Sequence, residues 1–147
     1  MFVLDSDYLS LIHRAESELG SRIRRRMAEL GPAEFATTIV NFEEQTRGWL
    51  SFAAKSKRNA DMIEAYRRLE GHLRVYCPMK VLAFDEAAAV RFQELRNAKI
   101  RIGTFDLRIA AIVLTQGATL LSRNLRDFQQ VPGLKFEDWT AEIAPRE

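Results

Sequence analysis

Cysteine occurs once in the 147-residue chain, at Cys77, and histidine only twice, at His13 and His72. One thiol cannot close an internal disulfide, and these residues cannot assemble a thiolate cluster or a histidine pair at metal spacing. Structural zinc is therefore disfavoured, and a reducing compartment suits the composition. Cys77 reads as a small apolar filler, and the two histidines as ordinary surface or boundary residues. Long apolar runs are missing as well. The longest uncharged stretch, Ile109 to Ser122, is interrupted by Gly117 and is shorter than the ~18 residues of a membrane span. The opening MFVLDSDYLS lacks the basic start and extended apolar segment of a secretory signal. The expectation is a cytoplasmic protein with no membrane partner. Nor is there an excess of one charge: 22 Lys and Arg against 20 Asp and Glu leave a net charge of +2. Any attraction to nucleic acid must then come from local patches. The absence of a GxxxxGK[ST] loop argues against nucleotide hydrolysis.

What remains is a chain that is 47% hydrophobic, with no internal repeat, low-complexity tract or linker. It reads as a single domain over residues 1–147, long enough to bury roughly two-thirds of its unfolded surface. Phe2-Val3-Leu4 suits a buried parallel strand running into a helix around Tyr8 to His13. A second helix from Ser17 to Leu30 stops at Gly31-Pro32. Phe35 to Val40 is rich in β-branched residues and reads as the next strand. Helices are predicted over Asn41 to Ala54 and over about Asn59 to Val75, the latter with Ile63, Tyr66, Leu69 and Leu73 at helical spacing. A brief strand, Lys80 to Ala83, precedes a helix from Glu86 to Ala98 that Asp85 introduces. A helix opening near Thr104 closes at Gly117, Thr119 to Ser122 is a strand, and Lys135 to Trp139 is a last edge strand. The alternation predicts a three-layer α/β/α domain with a mostly parallel central sheet.

Ligands in such folds bind beyond the carboxyl ends of the strands. Four places put acids there: Asp5 after the first strand, Glu43 and Glu44 after the second, Asp106 opening a helix, and Asn124 with Asp127 after the strand at Thr119 to Ser122. Each has a purely structural explanation. Asp5 suits a turn, and Glu44 the solvated first turn of a helix. Asp106 fits the first turn of a helix capped by Thr104, where the macrodipole favours negative charge, and Asp127 suits a cap for the segment Asp127 to Gln130. Their shared position is less readily explained by local structure. Several carboxylates in one cleft repel one another unless protons or cations intervene. With only oxygen ligands available, Mg²⁺ or Mn²⁺ is the matching ion, and such a site activates water for attack on a phosphodiester.

The segments FVLDSD, TTIVNFEEQTRGW, VLAFDEAAAVRF, IGTFDLRIAA and TLLSRNLRDFQQVPGL together resemble, in order and spacing, the PIN-domain family and within it the VapC-like toxins of toxin–antitoxin pairs. The resemblance spans essentially the whole chain. It implies a metal-dependent endoribonuclease with Asp5, Glu44 and Asp106 as the acidic core, Glu44 being chosen over Glu43 because the family's acid stands four residues before a glycine, here Gly48. It also implies a homodimer bound by a VapB-like antitoxin, and RNA as substrate. Two positions depart from the pattern. Asp7 stands where the family often has Asn, and either adds a carboxylate or caps a helix. The fourth acidic position falls on neutral Asn124, whose carbonyl oxygen can still bind a metal, with Asp127 as a source of the missing charge.

The basic run Arg22, Arg24, Arg25 and Arg26, with Lys55, Lys57 and Arg58, lines a route for an RNA backbone or else forms solvated helix faces. Trp49 and Phe52 read as packing or dimer residues. The rival to a nuclease is a catalytically silent binding module in a regulatory complex, favoured by the weakened fourth acidic position.

Overall fold

Alternate residues of each short strand point to opposite faces of the sheet, and in Phe2-Val3-Leu4 both sets are apolar. The computed structural model describes residues 1–14 and 16–141. The expected domain of residues 1–147 therefore includes residue 15 and residues 142–147, which lie outside the described residues. The described strands are β1 (Phe2–Leu4), β2 (Phe35–Thr38), β3 (Val81–Leu82), β4 (Thr119–Leu121) and β5 (Lys135–Glu137). They form one parallel sheet in the order β3-β2-β1-β4-β5, with Val3 opposite Ala36 on one side and Leu120 on the other. Val3, Ala36 and Leu120 face one core; Leu4, Phe35 and Leu121 face the other. Burial on both faces is what a parallel sheet with crossover helices demands.

The described helices are α1 (Ser6–Ile12), α2 (Glu18–Leu30), α3 (Ile39–Lys55), α4 (Asn59–Tyr76), α5 (Glu86–Asn97), α6 (Thr104–Gln116) and the single turn α7 (Leu125–Phe128). Leu107, Ile109, Ala110, Ile112 and Val113 of α6 fill the first core, and Tyr8, Leu9 and Ile23 of α1 and α2 fill the second. The predicted three-layer α/β/α architecture is the one observed. Among the described residues no helix is long and apolar enough to cross a membrane.

Boundaries differ from expectation where side chains cap helices. The Asp5 carboxylate accepts from the Ser6 amide, so α1 opens two residues before Tyr8. Thr38 Oγ1 accepts from the Asn41 amide, ending β2 early and drawing Ile39 and Val40 into α3. Gly103, not Thr104, occupies the cap position of α6, and no side chain caps it. Asn124 rather than Asp127 stands at the cap position of α7. Trp139 lies beyond β5 and turns into the second core, packing edge-on against Phe2 at 5.2 Å between centroids. Its backbone N–H donates to Tyr8 Oη at 2.6 Å, and Tyr8 Oη donates to Asp138 at 2.7 Å, which ties this segment to the start of α1.

Three other expectations change. Cys77 is exposed and fills no core. His72 is buried, stacked on Phe42 and 2.7 Å from Thr46 Oγ1, whereas His13 is exposed as expected. In α4 the residues turned inward are Ala65, His72 and Tyr76, which leaves Ile63, Tyr66 and Leu73 60%, 63% and 57% exposed. The apolar stripe read from helical spacing thus lies largely outside the core.

Gly20 governs how α2 crosses α1, because a Cβ there would lie 2.5 Å from the Leu11 carbonyl oxygen. Alanine ordinarily favours a helix interior over glycine by about 1 kcal/mol. Here the clash dominates, and Gly20→Ala is expected to destabilise the chain by roughly 1–3 kcal/mol, as overpacking does. Thermal unfolding checks this; a raised midpoint would show that the two helices separate at no cost.

Candidate active site at the carboxyl edge of the sheet

β1 lies between β2 and β4, and the chain leaves it to one side and returns on the other. Asp5 follows β1 at this point of reversal, where the crossover helices diverge and a crevice opens. Only 7% exposed, Asp5 accepts at Oδ1 from the Ser6 amide (2.9 Å) and from Asn41 Nδ2 (2.9 Å), and at Oδ2 from Ser122 Oγ (2.7 Å). Ser122 Oγ in turn accepts from the Asn124 amide at 3.0 Å, which places the Asn124 side chain over the crevice. There Asn124 Nδ2 donates to Asp106 Oδ2 (3.1 Å) and to Asp127 Oδ2 (3.0 Å). Asp127 is therefore a partner of Asn124 and does not cap the segment Asp127 to Gln130.

Asp106 occupies the first turn of α6, as expected, half-buried. Its pKa is pushed up to about 6 by burial and by the charges of Asp5, Glu44 and Asp127, against which the Asn124 hydrogen bond acts only in part. The acids expected to converge thus share one electrostatic field. Glu44 belongs to it, and its charge, after burial, also helps raise the pKa of Tyr76. Glu43 instead pairs with Arg47 at 2.8 Å on the solvated side of α3. Of the two, Glu44 is the one whose charge acts on Asp106.

Asp7 does not cap α1. Its Oδ1 accepts from the Tyr8 amide at 2.8 Å and its Oδ2 from the Arg123 amide at 3.0 Å, joining α1 to the loop after β4. Burial and the Asp5 charge lift it to about 6 as well, and the Arg123 charge partly opposes them. Arg123 is the cation whose charge acts on Asp7, and it lies outside the basic residues that stand out in the sequence. Four of the seven have other engagements: Arg22 pairs with Glu18 at 2.6 Å, Arg24 holds the Ile12 carbonyl at 2.5 Å, Arg26 lies 4.0 Å over the Trp139 ring and Arg58 pairs with Asp61 at 3.4 Å. Trp49 packs edge-on against Phe52, in keeping with a packing role.

Sequence reasoning missed Asn41 and Ser122, both fully buried and both on Asp5. Each follows a strand at the same edge as the acids, but a neutral side chain there has no charge to mark it in the sequence. The site offers carboxylate and amide oxygens, the donors that hard divalent cations take. Among the described residues no three His, Cys, Asp or Glu side chains close into a ready-made ligand set.

The PIN domain family matches residues 2–134. The chain belongs to the PIN domain family. This PIN domain is similar to the tRNA(fMet)-specific endonuclease VapC of Salmonella typhimurium, with 34% identity over 65 residues, which is 42% of this chain and 49% of that protein. The aligned stretch spans about half the length of that relative and of its Shigella flexneri counterpart. Among solved structures, DNA-bound VapBC from Salmonella typhimurium superposes with a TM-score of 0.68 at 25% identity, covering 94% of this chain and 97% of that one. VapBC2 from Rickettsia felis bound to a promoter DNA fragment gives a TM-score of 0.69 at 20% identity, covering 94% and 98%. That second likeness bears on the fold alone, and it agrees with the sheet described above.

Because Asp7 and Asp106 ionise near pH 6 in the folded chain and near 4 in an unfolded one, the folded state binds more protons between these values. The stability they contribute is complete below about pH 4 and is lost as pH rises through about 6, the reverse of a salt-bridged acid. Without divalent ions, Asp106→Asn is expected to raise the thermal midpoint at pH 7 and to converge on wild type near pH 4. Parallel pH profiles for the two proteins would contradict the strained carboxylate.

Proposed function

We propose that the chain is a metal-dependent endoribonuclease, the toxin of a VapB–VapC type pair. The observation that carries this reading is the single field in which the charges of Asp5, Glu44 and Asp127 add to burial in lifting Asp106 to about 6. A divalent cation relieves that repulsion and favours ionised Asp106. Asp5, Glu44 and Asp106 would hold the ion, Mg²⁺ or Mn²⁺, with Asp127 and the Asn124 carbonyl as further oxygens. As Asn124 stands, its nitrogen faces Asp106 and Asp127, so its oxygen would reach an ion only after the amide turns. The carboxylates would likewise draw together around the ion, since no ligand set is preformed. When bound, the ion supplies Lewis acidity and a water of lowered pKa. The protein's part would be to hold the acids at the carboxyl edge of the sheet and to keep Arg123 beside Asp7, where a guanidinium attracts a phosphate.

Relatives named as endonuclease and ribonuclease VapC, and solved VapBC assemblies, support the same reading for substrate and partner. RNA is the proposed substrate, a VapB-like antitoxin the proposed partner and a homodimer the proposed active form, in a cytoplasmic setting. The exposed apolar side chains of α3 and α4, Leu50, Phe52, Ile63, Tyr66 and Leu73, are surface available to such contacts. The silent binding module has one observation in its favour, the neutral Asn124 amid the acids, and cleavage assays distinguish the two.

Purified chain incubated with defined RNAs is expected to cleave them only with Mg²⁺ or Mn²⁺. Asp106→Asn should lower that rate by at least about a hundredfold, the scale of losing a group that stabilises developing charge, with the circular dichroism spectrum unchanged. Near-normal cleavage by the variant would remove Asp106 from the site, and no cleavage by wild type under any divalent ion would favour the binding module.

Asn124 and Asp127 give a separate test. Asp127→Asn is expected to raise the Mg²⁺ concentration for half-maximal cleavage severalfold, and Asn124→Asp to lower it. An unchanged metal titration for Asp127→Asn would leave Asp5, Glu44 and Asp106 as the whole ligand set.

A further inference from the structure

Among the described residues every hydrogen-bond donor on Asp5 is neutral, and two of the three come from other connections, Asn41 after β2 and Ser122 after β4. Asn41 sits in the first turn of α3, fully buried, and its side-chain amide has no free choice of orientation. Its Oδ1 accepts from Thr38 Oγ1 at 2.7 Å, while its Nδ2 donates to Asp5 Oδ1 at 2.9 Å and to Ser6 Oγ at 3.0 Å. Turning the amide over would set its oxygen against the Asp5 carboxylate and its nitrogen against the Thr38 hydroxyl. A carboxylate has about four lone-pair positions. The Ser6 amide and Asn41 take both positions on Oδ1, and Ser122 takes one on Oδ2. What remains is a single position on Oδ2.

We propose that Asn41 is a positioning residue for the acidic site: by clamping Asp5 Oδ1 from the β2–α3 junction it fixes the rotation of the carboxylate, so that Asp5 meets a divalent cation at one point, through Oδ2. This rests on the metal-site reading above. Without the clamp, the carboxylate keeps the Ser6 amide on Oδ1 and Ser122 on Oδ2 but loses its hold from the β2–α3 junction, so its tilt toward Asp106 and Glu44 is less restricted. Groups that orient metal ligands in this way typically change metal affinity 10–100-fold when removed.

Asn41→Leu keeps the branched shape and the backbone N–H that Thr38 caps, and replaces the amide with methyl groups. Mn²⁺ binding is measured by calorimetry on wild type and variant, with thermal unfolding to confirm that both are folded. The expected result is a Kd at least about tenfold higher for Asn41→Leu. Equal Kd values overturn the proposal and leave the metal site standing, whereas no Mn²⁺ binding by wild type overturns both. If the leucine variant does not fold, the wild-type chain decides by NMR: the Asn41 side-chain amide resonances should shift as Mg²⁺ is added. If they stay fixed while the Asp5 backbone amide shifts, Asn41 does not orient the ligand and the proposal fails.

Discussion

Repulsion among acids at one edge of a parallel sheet is the condition that the rest of this molecule accommodates. Burial first, and then the charges of Asp5, Glu44 and Asp127, push Asp106 up to about 6. The groups that offset the repulsion from within are amides and hydroxyls: Asn41 and Ser122 on Asp5, and Asn124 on Asp106 and Asp127. A buried arginine or lysine would neutralise part of this charge and weaken the negative potential that a ligand meets. Neutral donors orient the carboxylates and leave that potential in place for a ligand.

This arrangement depends on the sheet. With helices over both faces, a charged side chain inside the layers would lack partners, and the polar ends of the strands are where it can remain part-solvated. The winding reverses at β1, so Asp5 lies between the residues that follow β2 and those that follow β4. Segments separated by more than a hundred residues meet there, as in the bond from Ser122 to Asp5. The links from Tyr8 to Asp138 and Trp139 hold the start of α1 against the far end of the described chain, steadying the turn that presents Asp5 and Asp7.

Much of this was legible in the residues. Strand identity, the three-layer arrangement and the placement of Asp5, Glu44 and Asp106 after strands or at a helix opening all follow from local pattern, because hydrophobic periodicity and helix punctuation act over a few residues. Helix starts were less legible. Asp5 and Thr38 cap with their side chains and so extend α1 and α3 into what reads as loop or strand, whereas Thr104 makes no cap despite suitable chemistry. A hydroxyl at the right place permits a cap without compelling it.

Sequence alone determined that this is an alternating α/β chain with too few cysteines and histidines for zinc chemistry and with acids concentrated after its strands. Tertiary structure decided which neutral residues hold those acids, that Glu43 turns outward to Arg47 while Glu44 enters the common field, that Arg123 rather than the α2 arginines stands near the acids, and that the apolar stripe of α4 stays outside the core. The reason is the range of the forces involved. Periodicity and propensity are read between near neighbours, but a hydrogen bond from Asn41 to Asp5, or the burial of one helix face in preference to another, depends on segments that become neighbours only when the sheet closes.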